Sequence, residues 1–335
     1  MILRVFRTAH TAAAPLLGVA LLVTLPLWLG HQTFYVNIAS QVLLWAVAAL
    51  ALNVLVGYAG LVSLGHAGLL AIAGYSVGLV LQAGAGHLVA CLVAVAVAIA
   101  ASAAFAVLAL RSTGIGFLMI TLALGQIVWG IAYRWASLTN GDNGINLASR
   151  PAPFGLSLAG AEPFYYAALV IFLAALLSMW GFVRSPFGAS LAGTRDQPRR
   201  MTALGFNVWL IRFLAFLISG LWCGVAGVLY VYYHQFIAPP AAALTSSAEI
   251  LLMVISGGTA TLLGPIAGAA IVVVMKNVAS AYIERWNLVL GVIFILIISF
   301  MPEGLVPGSL RIWRATWRRV GLLLKGARGG QRGSA

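Results

Sequence analysis

Charge is what this chain has least of. Asp, Glu, Lys and Arg together make up 7% of 335 residues, where a soluble protein carries about a quarter. So little charge cannot cover a water-facing surface, which leaves no room for a separate soluble domain. Cysteine is scarce too. Cys91 and Cys223 lie inside apolar segments among small neighbours, a setting for core packing rather than for redox or metal chemistry. No GxxxxGK[ST], HExxH or CxxC pattern occurs. Residues 258–264 have glycines at a suggestive spacing, but Pro265 stands where a phosphate-binding lysine would have to be. The chain therefore cannot hydrolyse ATP alone, and no enzymatic activity, cofactor or metal is expected of it.

What the chain has in quantity is hydrocarbon: 62% of residues are hydrophobic and the mean hydropathy is +1.05. Apolar runs of about 20 residues recur, each long enough to cross a hydrocarbon layer of ~30 Å as a helix. They are continuous rather than alternating, which favours helices over barrel strands. The net charge of +13 does not point to nucleic acid, because the basic residues cluster at the ends of apolar runs, where they orient membrane proteins.

Taken in order, the runs cover residues 12–30, 36–55, a stretch ending near 81, 87–110, 115–133, 163–183, 213–233, a short 249–255, 265–279 and 288–301. The first follows Arg4 and Arg7 but precedes no small-x-small cleavage site, so it is expected to be retained as a helix. The fold class is an all-α polytopic membrane protein with about ten crossings. Fifteen of the nineteen basic residues then fall on one side, leaving Arg134, Arg150, Lys276 and Arg285 elsewhere. That bias makes both termini cytoplasmic. Trp28, Trp129, Trp135, Tyr282 and Trp286 sit at run ends, as an interfacial belt would have them. Five crossings on either side of the outer loop 138–162 would leave room for an inverted repeat. Residues 308–335 form a basic tail with Trp313 and Trp317, suited to anionic lipid headgroups.

Two features interrupt the hydrocarbon. One is the polar stretch 184–212, with Arg184, Arg195, Asp196, Arg199, Arg200 and Arg212; it is the one internal surface able to bind something large and wet. The other is a pair of glycine-rich breaks, GYAGLVSLGHAG at 57–68 and SGGTATLLGP at 256–265. A helix that unwinds in a membrane must turn its polar groups toward protein or a water path. Gly60, Ser63, Gly65, His66, Gly257, Gly258 and Thr259 are therefore candidates to line a translocation pathway, with close helix packing as the alternative. The breaks fall one crossing out of step and are not paired as repeats. His66, Glu249, Lys276 and neutral Gln126 are the polar groups nearest mid-span. Glu249 and Lys276 are expected near run ends, and His66 is expected to satisfy a freed carbonyl. The set is too thin for a proton relay.

At this point the residues resemble a known family. LNVLVGYAGLVSLGHAGLLAIAGYSVG (52–78) is similar to the signature of bacterial branched-chain amino acid ABC permeases of the LivM type. The LivH-type partner tends to have Asn-Phe-Ala-His where this chain has residues 63–66. LTNGDNGI (138–145), the SPFG…TRD…ALGFNVWLIRFLAFLISG stretch (185–220), SGGTATLLGPIAGAA and MPEGL (301–305) agree. The resemblance spans about residues 36–307.

It implies a permease core at 36–307, after an N-terminal segment and first helix at 1–35. It also implies a pore shared with a second, LivH-type membrane subunit, two cytoplasmic ATPase subunits, a periplasmic substrate-binding protein, and a place in the bacterial inner membrane. In the family a cytoplasmic loop docks into an ATPase cleft. Here that segment would be residues 201–205, with Arg195 and Asp196 ahead of it and Met201, Leu204 and Gly205 within it. A short helix begun by Pro198 is expected there, with Met201, Leu204 and Phe206 filling the cleft. The family often has a second acid after the Arg-Asp pair; this chain has Gln197, Pro198, Arg199 and Arg200, a more basic surface. Alternatives are a urea or short-chain amide permease of the same superfamily, an ion-coupled secondary transporter, and a scaffold or receptor subunit.

Overall fold

The computed structural model describes residues 18–28, 32–147, 150 and 157–282, with isolated positions from 288 to 308. The basic tail, and most of the run at 288–301, lie outside the described residues.

Helix α2 (Thr33–Asn53) is the axis of the fold. From Leu43 to Asn53 every residue is buried, because the sequence there is apolar or small on all faces and leaves the helix no lipid-facing side. Against it pack α7 (Ala161–Arg184), α10 (Val208–His234), α11 (Leu244–Gly257) and α12 (Leu263–Tyr282), and α3 (His66–Gln82) packs on α10 and α11. Helices α4 (His87–Ala109) and α5 (Ile115–Arg134) pack outside α3. The span containing α2 is 83% buried and those of α4, α5 and α7 only 22–28%, which separates a central helix from peripheral ones. The first apolar run appears as α1 (Gly18–Trp28), tied to α7 by a hydrogen bond from the Tyr165 hydroxyl to the Leu22 carbonyl at 2.6 Å.

Among the described residues, five helices are long and apolar enough to cross a membrane. By length, α3 and α11 are not: 17 and 14 residues give ~26 and ~21 Å at 1.5 Å per residue. Each is preceded by a segment that is not α-helical, irregular chain at residues 60–65 for α3 and a 3-10 turn, Pro239–Ala242, for α11. The run expected at 249–255 is in fact longer, because Thr245, Ser246 and Ser247 join the helix. Glu249 and Lys276, expected near run ends, therefore lie within α11 and α12, paired at 3.0 Å. The expected break after residue 55 begins as a π-helical turn, Val54–Ala59, that widens the end of α2. The polar stretch holds two helices rather than one, α8 (Pro186–Asp196) and α9 (Pro198–Ala203), which lead into α10, while a short α6 (Ala136–Thr139) follows α5.

Small residues set the closest contacts. Gly220 and Gly224 of α10 face Ser102 and Ala98 of α4, and a side chain on Gly224 would come within 2.6 Å of the Ala98 methyl. At the far end from α8 and α9, strands β1 (Ile145–Asn146) and β2 (Phe236–Ile237) pair antiparallel, Ile145 opposite Ile237. Arg150 fastens this end. Its Nε and Nη2 donate to the carbonyls of Tyr232 and Tyr233 at 2.9 and 3.0 Å, where a cation offsets the negative end of α10, and it covers the Phe164 ring at 4.7 Å.

Candidate functional site

The two glycine-rich breaks meet. At the end of α2, Asn53 accepts from the Ala260 N–H at 3.2 Å and donates to the Thr261 carbonyl at 2.8 Å. One amide thereby serves two backbone groups of the other break. Gly57 lies against the Ala260 backbone with no room for a side chain. Within the second break, Thr261 Oγ1 donates to the Gly258 carbonyl at 2.9 Å and accepts from Gly264 N–H at 3.0 Å. Gly257 abuts the Gly264 carbonyl and Gly258 abuts Gly304, so the glycines of SGGTATLLGP and MPEGL close on one another. Thr259 stands apart, exposed at the turn.

The first break is organised by His66. Its Nε2 is 2.8 Å from Ser219 Oγ, and Ser219 Oγ donates to the Ala51 carbonyl at 2.6 Å. Having spent its proton there, Ser219 can only accept, so Nε2 carries the imidazole hydrogen. Nδ1 then accepts from Ser63 Oγ, 3.0 Å away, while Ser63 accepts from Gly65 N–H at 3.3 Å. The neutral ring is fully satisfied. His66 therefore reaches a carbonyl, as expected, but through Ser219 rather than directly. The buried start of α3 is served in the same way by other helices: Leu64 N–H donates to Thr121 Oγ1 of α5 and Ala67 N–H to Ser247 Oγ of α11, both at 3.2 Å. A side chain on Gly65 would meet the Thr121 carbonyl at 2.8 Å.

Arg195 joins the polar stretch to this centre. Helix α8 starts with Ser185 as N-cap, accepting from Gly188 N–H at 3.2 Å, and Pro186 in its first turn. It ends with Arg195 donating from Nη1 to the Gly57 carbonyl at 2.5 Å. Gly60, with φ +69°, leaves the space that the Arg195 stem fills; a side chain there would come within 2.8 Å of Cγ. From α10, Arg212 Nη2 donates to the Thr194 carbonyl at 3.0 Å. Asp196 lies 3.5 Å from Arg195 Nε and is largely exposed. Helix α9 follows with Pro198 in its first turn and no buried residue.

The expected cleft-filling trio is divided. Met201 turns inward onto Gly193, while Leu204 and Phe206 are exposed, followed by Trp209 and Leu210. Gly205, with φ +87°, has open space where a side chain would be. The structure thus joins Arg195, Gly60 and Gly57 directly, and through Asn53 the second break, whereas Leu204, Gly205 and Thr259 stay at the surface. Sequence reasoning missed Ser219, Thr121, Ser247 and Thr261; their one signal was a hydroxyl in an apolar run.

One hydrolase-like spacing does occur, GYSVG at residues 74–78. It lies mid-helix in α3, and Ser76 Oγ donates to the Ile72 carbonyl at 2.8 Å. The sharp strand-to-helix turn that exposes a nucleophilic serine is not there.

Comparison with known proteins gives the same direction. Residues 34–298 match the family described as branched-chain amino acid transport system / permease component. The chain is 28% identical over 298 residues to the high-affinity branched-chain amino acid transport system permease protein LivM of Salmonella typhimurium, covering 81% of this chain and 70% of the relative. It is likewise 28% identical over 296 residues to LivM of Escherichia coli K12, with the same coverage. No solved structure matches. The family match takes in α2 to α12, both breaks and the helices that carry Arg195, and the chain therefore belongs to the branched-chain amino acid transport permease family.

Proposed function

We propose that this chain is a transmembrane subunit of an ABC importer that carries branched-chain amino acids across the bacterial inner membrane. Ten crossings place both termini, α8 and α9 in the cytoplasm, on the charge bias of fifteen basic residues against four. Residues 36–307 form the permease core after a first helix within 1–35, and 308–335 rest on anionic lipid. A LivH-type subunit shares the pore, two ATPase subunits supply energy, and a periplasmic binding protein delivers substrate. Leu204, Phe206, Trp209 and Leu210, exposed and apolar beside α9, would enter an ATPase cleft while Arg199 and Arg200 meet acidic groups on its rim.

The observation that carries this reading is the bond between Arg195 and the Gly57 carbonyl. It attaches the docking segment to the broken end of the central helix. Movement of α8 and α9 on ATP binding would therefore be felt at Gly57, Gly60 and, through Asn53, at residues 257–261. A surface loop without such a bond could move freely while the bundle stayed still.

The test is leucine uptake into vesicles holding the chain with its second permease, ATPases and binding protein. Uptake should require ATP and be indifferent to ion gradients. Uptake that runs on an ion gradient without ATPase subunits refutes the importer, and ATP-driven uptake of urea in place of leucine refutes the substrate.

A further inference from the structure

Helix α8 ends on a carbonyl that its own backbone cannot satisfy. The ladder runs to Gly193, whose carbonyl accepts from Gln197 N–H at 3.0 Å. The next carbonyl, that of Thr194, would need the N–H of residue 198, which is Pro198 and has none. Thr194 is also buried. Arg212 of α10, 18 positions on, supplies the missing donor: its Nη2 reaches the Thr194 carbonyl at 3.0 Å. That sets a cation at the negative end of α8. The same guanidinium leaves its Nε buried without a hydrogen-bond partner among the described residues, a feature that calls for a reason. What α10 holds two turns further along supplies one. Ser219 follows Arg212 on nearly the same face of α10, ~10 Å along the axis. Ser219 Oγ donates to the Ala51 carbonyl of α2 at 2.6 Å and accepts from His66. One face of α10 thus grips the end of α8 with Arg212 and the first glycine-rich break with Ser219. Next to Thr194 stands Arg195, which holds the Gly57 carbonyl. The end of α8 is therefore tied to α2 twice, directly at Gly57 and at Ala51 by way of α10.

We propose that Arg212 is a positioning residue for energy coupling: it makes α10 a second line, parallel to Arg195, by which movement of α8 and α9 reaches residues 51–66. The proposal rests on the transport reading above and adds a residue to the coupling described there. Its physical basis is constraint. With a single tie at Gly57, α8 could swing about that bond while α10 stayed in place. With the second tie at Thr194, a shift of α8 must carry α10 as well, or break a bond to a charged donor and strand a buried carbonyl. Because α10 is itself bonded to α2 through Ser219, both lines end on the same stretch of the central helix.

The experiment uses the complete transporter in proteoliposomes and compares wild type, R212Q, R212K, R195A and R195A/R212Q. Glutamine stays polar but is too short to reach Thr194. For each variant, ATP hydrolysis is measured with and without leucine-loaded binding protein, together with co-purification of the ATPase subunits. R212Q should co-purify its ATPases in wild-type amount. Its stimulation by loaded binding protein should fall at least about fivefold, the low end of coupling between sites. R212K keeps a charged donor without the planar fork, so it should recover part of that loss. In the double variant the losses of R195A and R212Q should multiply, as they do for changes that act independently. Wild-type stimulation in R212Q, or an R212K no better than R212Q, overturns the proposal. So does a double variant no worse than R195A, since Arg212 would then act only through Arg195. An R212Q that fails to assemble overturns it too, because the bond would then serve the fold alone. Failure of the transport reading shows separately: wild type itself would give no stimulation of ATP hydrolysis by loaded binding protein.

Discussion

Asn53, 208 positions ahead of Thr261 in the chain, donates its side-chain amide to that residue's carbonyl at 2.8 Å. With its oxygen it accepts from Ala260 N–H. Ala260 has φ +60°, a conformation that a non-glycine residue holds only when its neighbours enforce it. Asn53→Leu keeps the volume but removes both bonds and leaves a partly buried N–H unpaired, at a cost of ~1–3 kcal/mol. Thermal unfolding in detergent should shift down accordingly. An unchanged midpoint would mean that the two breaks hold together without the clasp.

Gly65 is where α3 starts against α5. Gly65→Leu would push the added bulk into the Thr121 carbonyl and the Phe105 ring, which a Cβ alone would approach to 2.8 and 3.2 Å. Overpacking of this kind costs ~1–3 kcal/mol or more, and it would also disturb the Ser63–His66–Ser219 chain. Transport or assembly should be impaired. Wild-type uptake by this variant would show that the break has slack to spare.

Arg195→Ala removes the guanidinium from Gly57 while leaving α8 its cap at Ser185. The helices should stay folded, but stimulation of ATP hydrolysis by loaded binding protein should drop, by an amount on the order of the 1–3 kcal/mol typical of coupling between sites. Gly205 acts differently. At φ +87° a bulky residue strains the turn and places a side chain in open space beside Leu204, so ATPase association should weaken instead. Co-purification and stimulated hydrolysis, measured on both variants, separate the two effects. Coupling untouched by both changes defeats the docking role of this segment.

Topology can be checked with single cysteines. One at Asn143, beside the β1 strand, should react with an impermeant thiol reagent from outside. One at Gln197, between α8 and α9, should react only after permeabilisation. The reverse pattern would overturn the orientation and with it the docking segment.

Much of the fold was legible because membranes impose a coarse grammar: continuous apolar runs become helices since no other backbone partner exists in hydrocarbon. That reasoning placed the runs at 87–110, 115–133 and 163–183 within a few residues of α4, α5 and α7. It underestimated α11 because Thr245 to Ser247 are polar, and only their packing against α3 shows that a helix can keep them. Composition and charge also established the class of molecule, and the quoted motifs its family.

The sequence could not say where the polar groups point. Glycines at 57–68 and 257–264 announce that something approaches closely, but a missing side chain carries no information about which neighbour fills its place. That Arg195 turns inward to Gly57 while Leu204 faces out depends on how α8 is set against the end of α2, a relation between residues 138 positions apart. The same holds for Asn53 with Thr261, His66 with Ser219 and Glu249 with Lys276. Each is a long-range hydrogen bond or ion pair in a setting without water, where a polar group must find whichever partner the packing brings within 3 Å or so. Periodicity along one helix determines its apolar character; the packing of the whole bundle decides the partner.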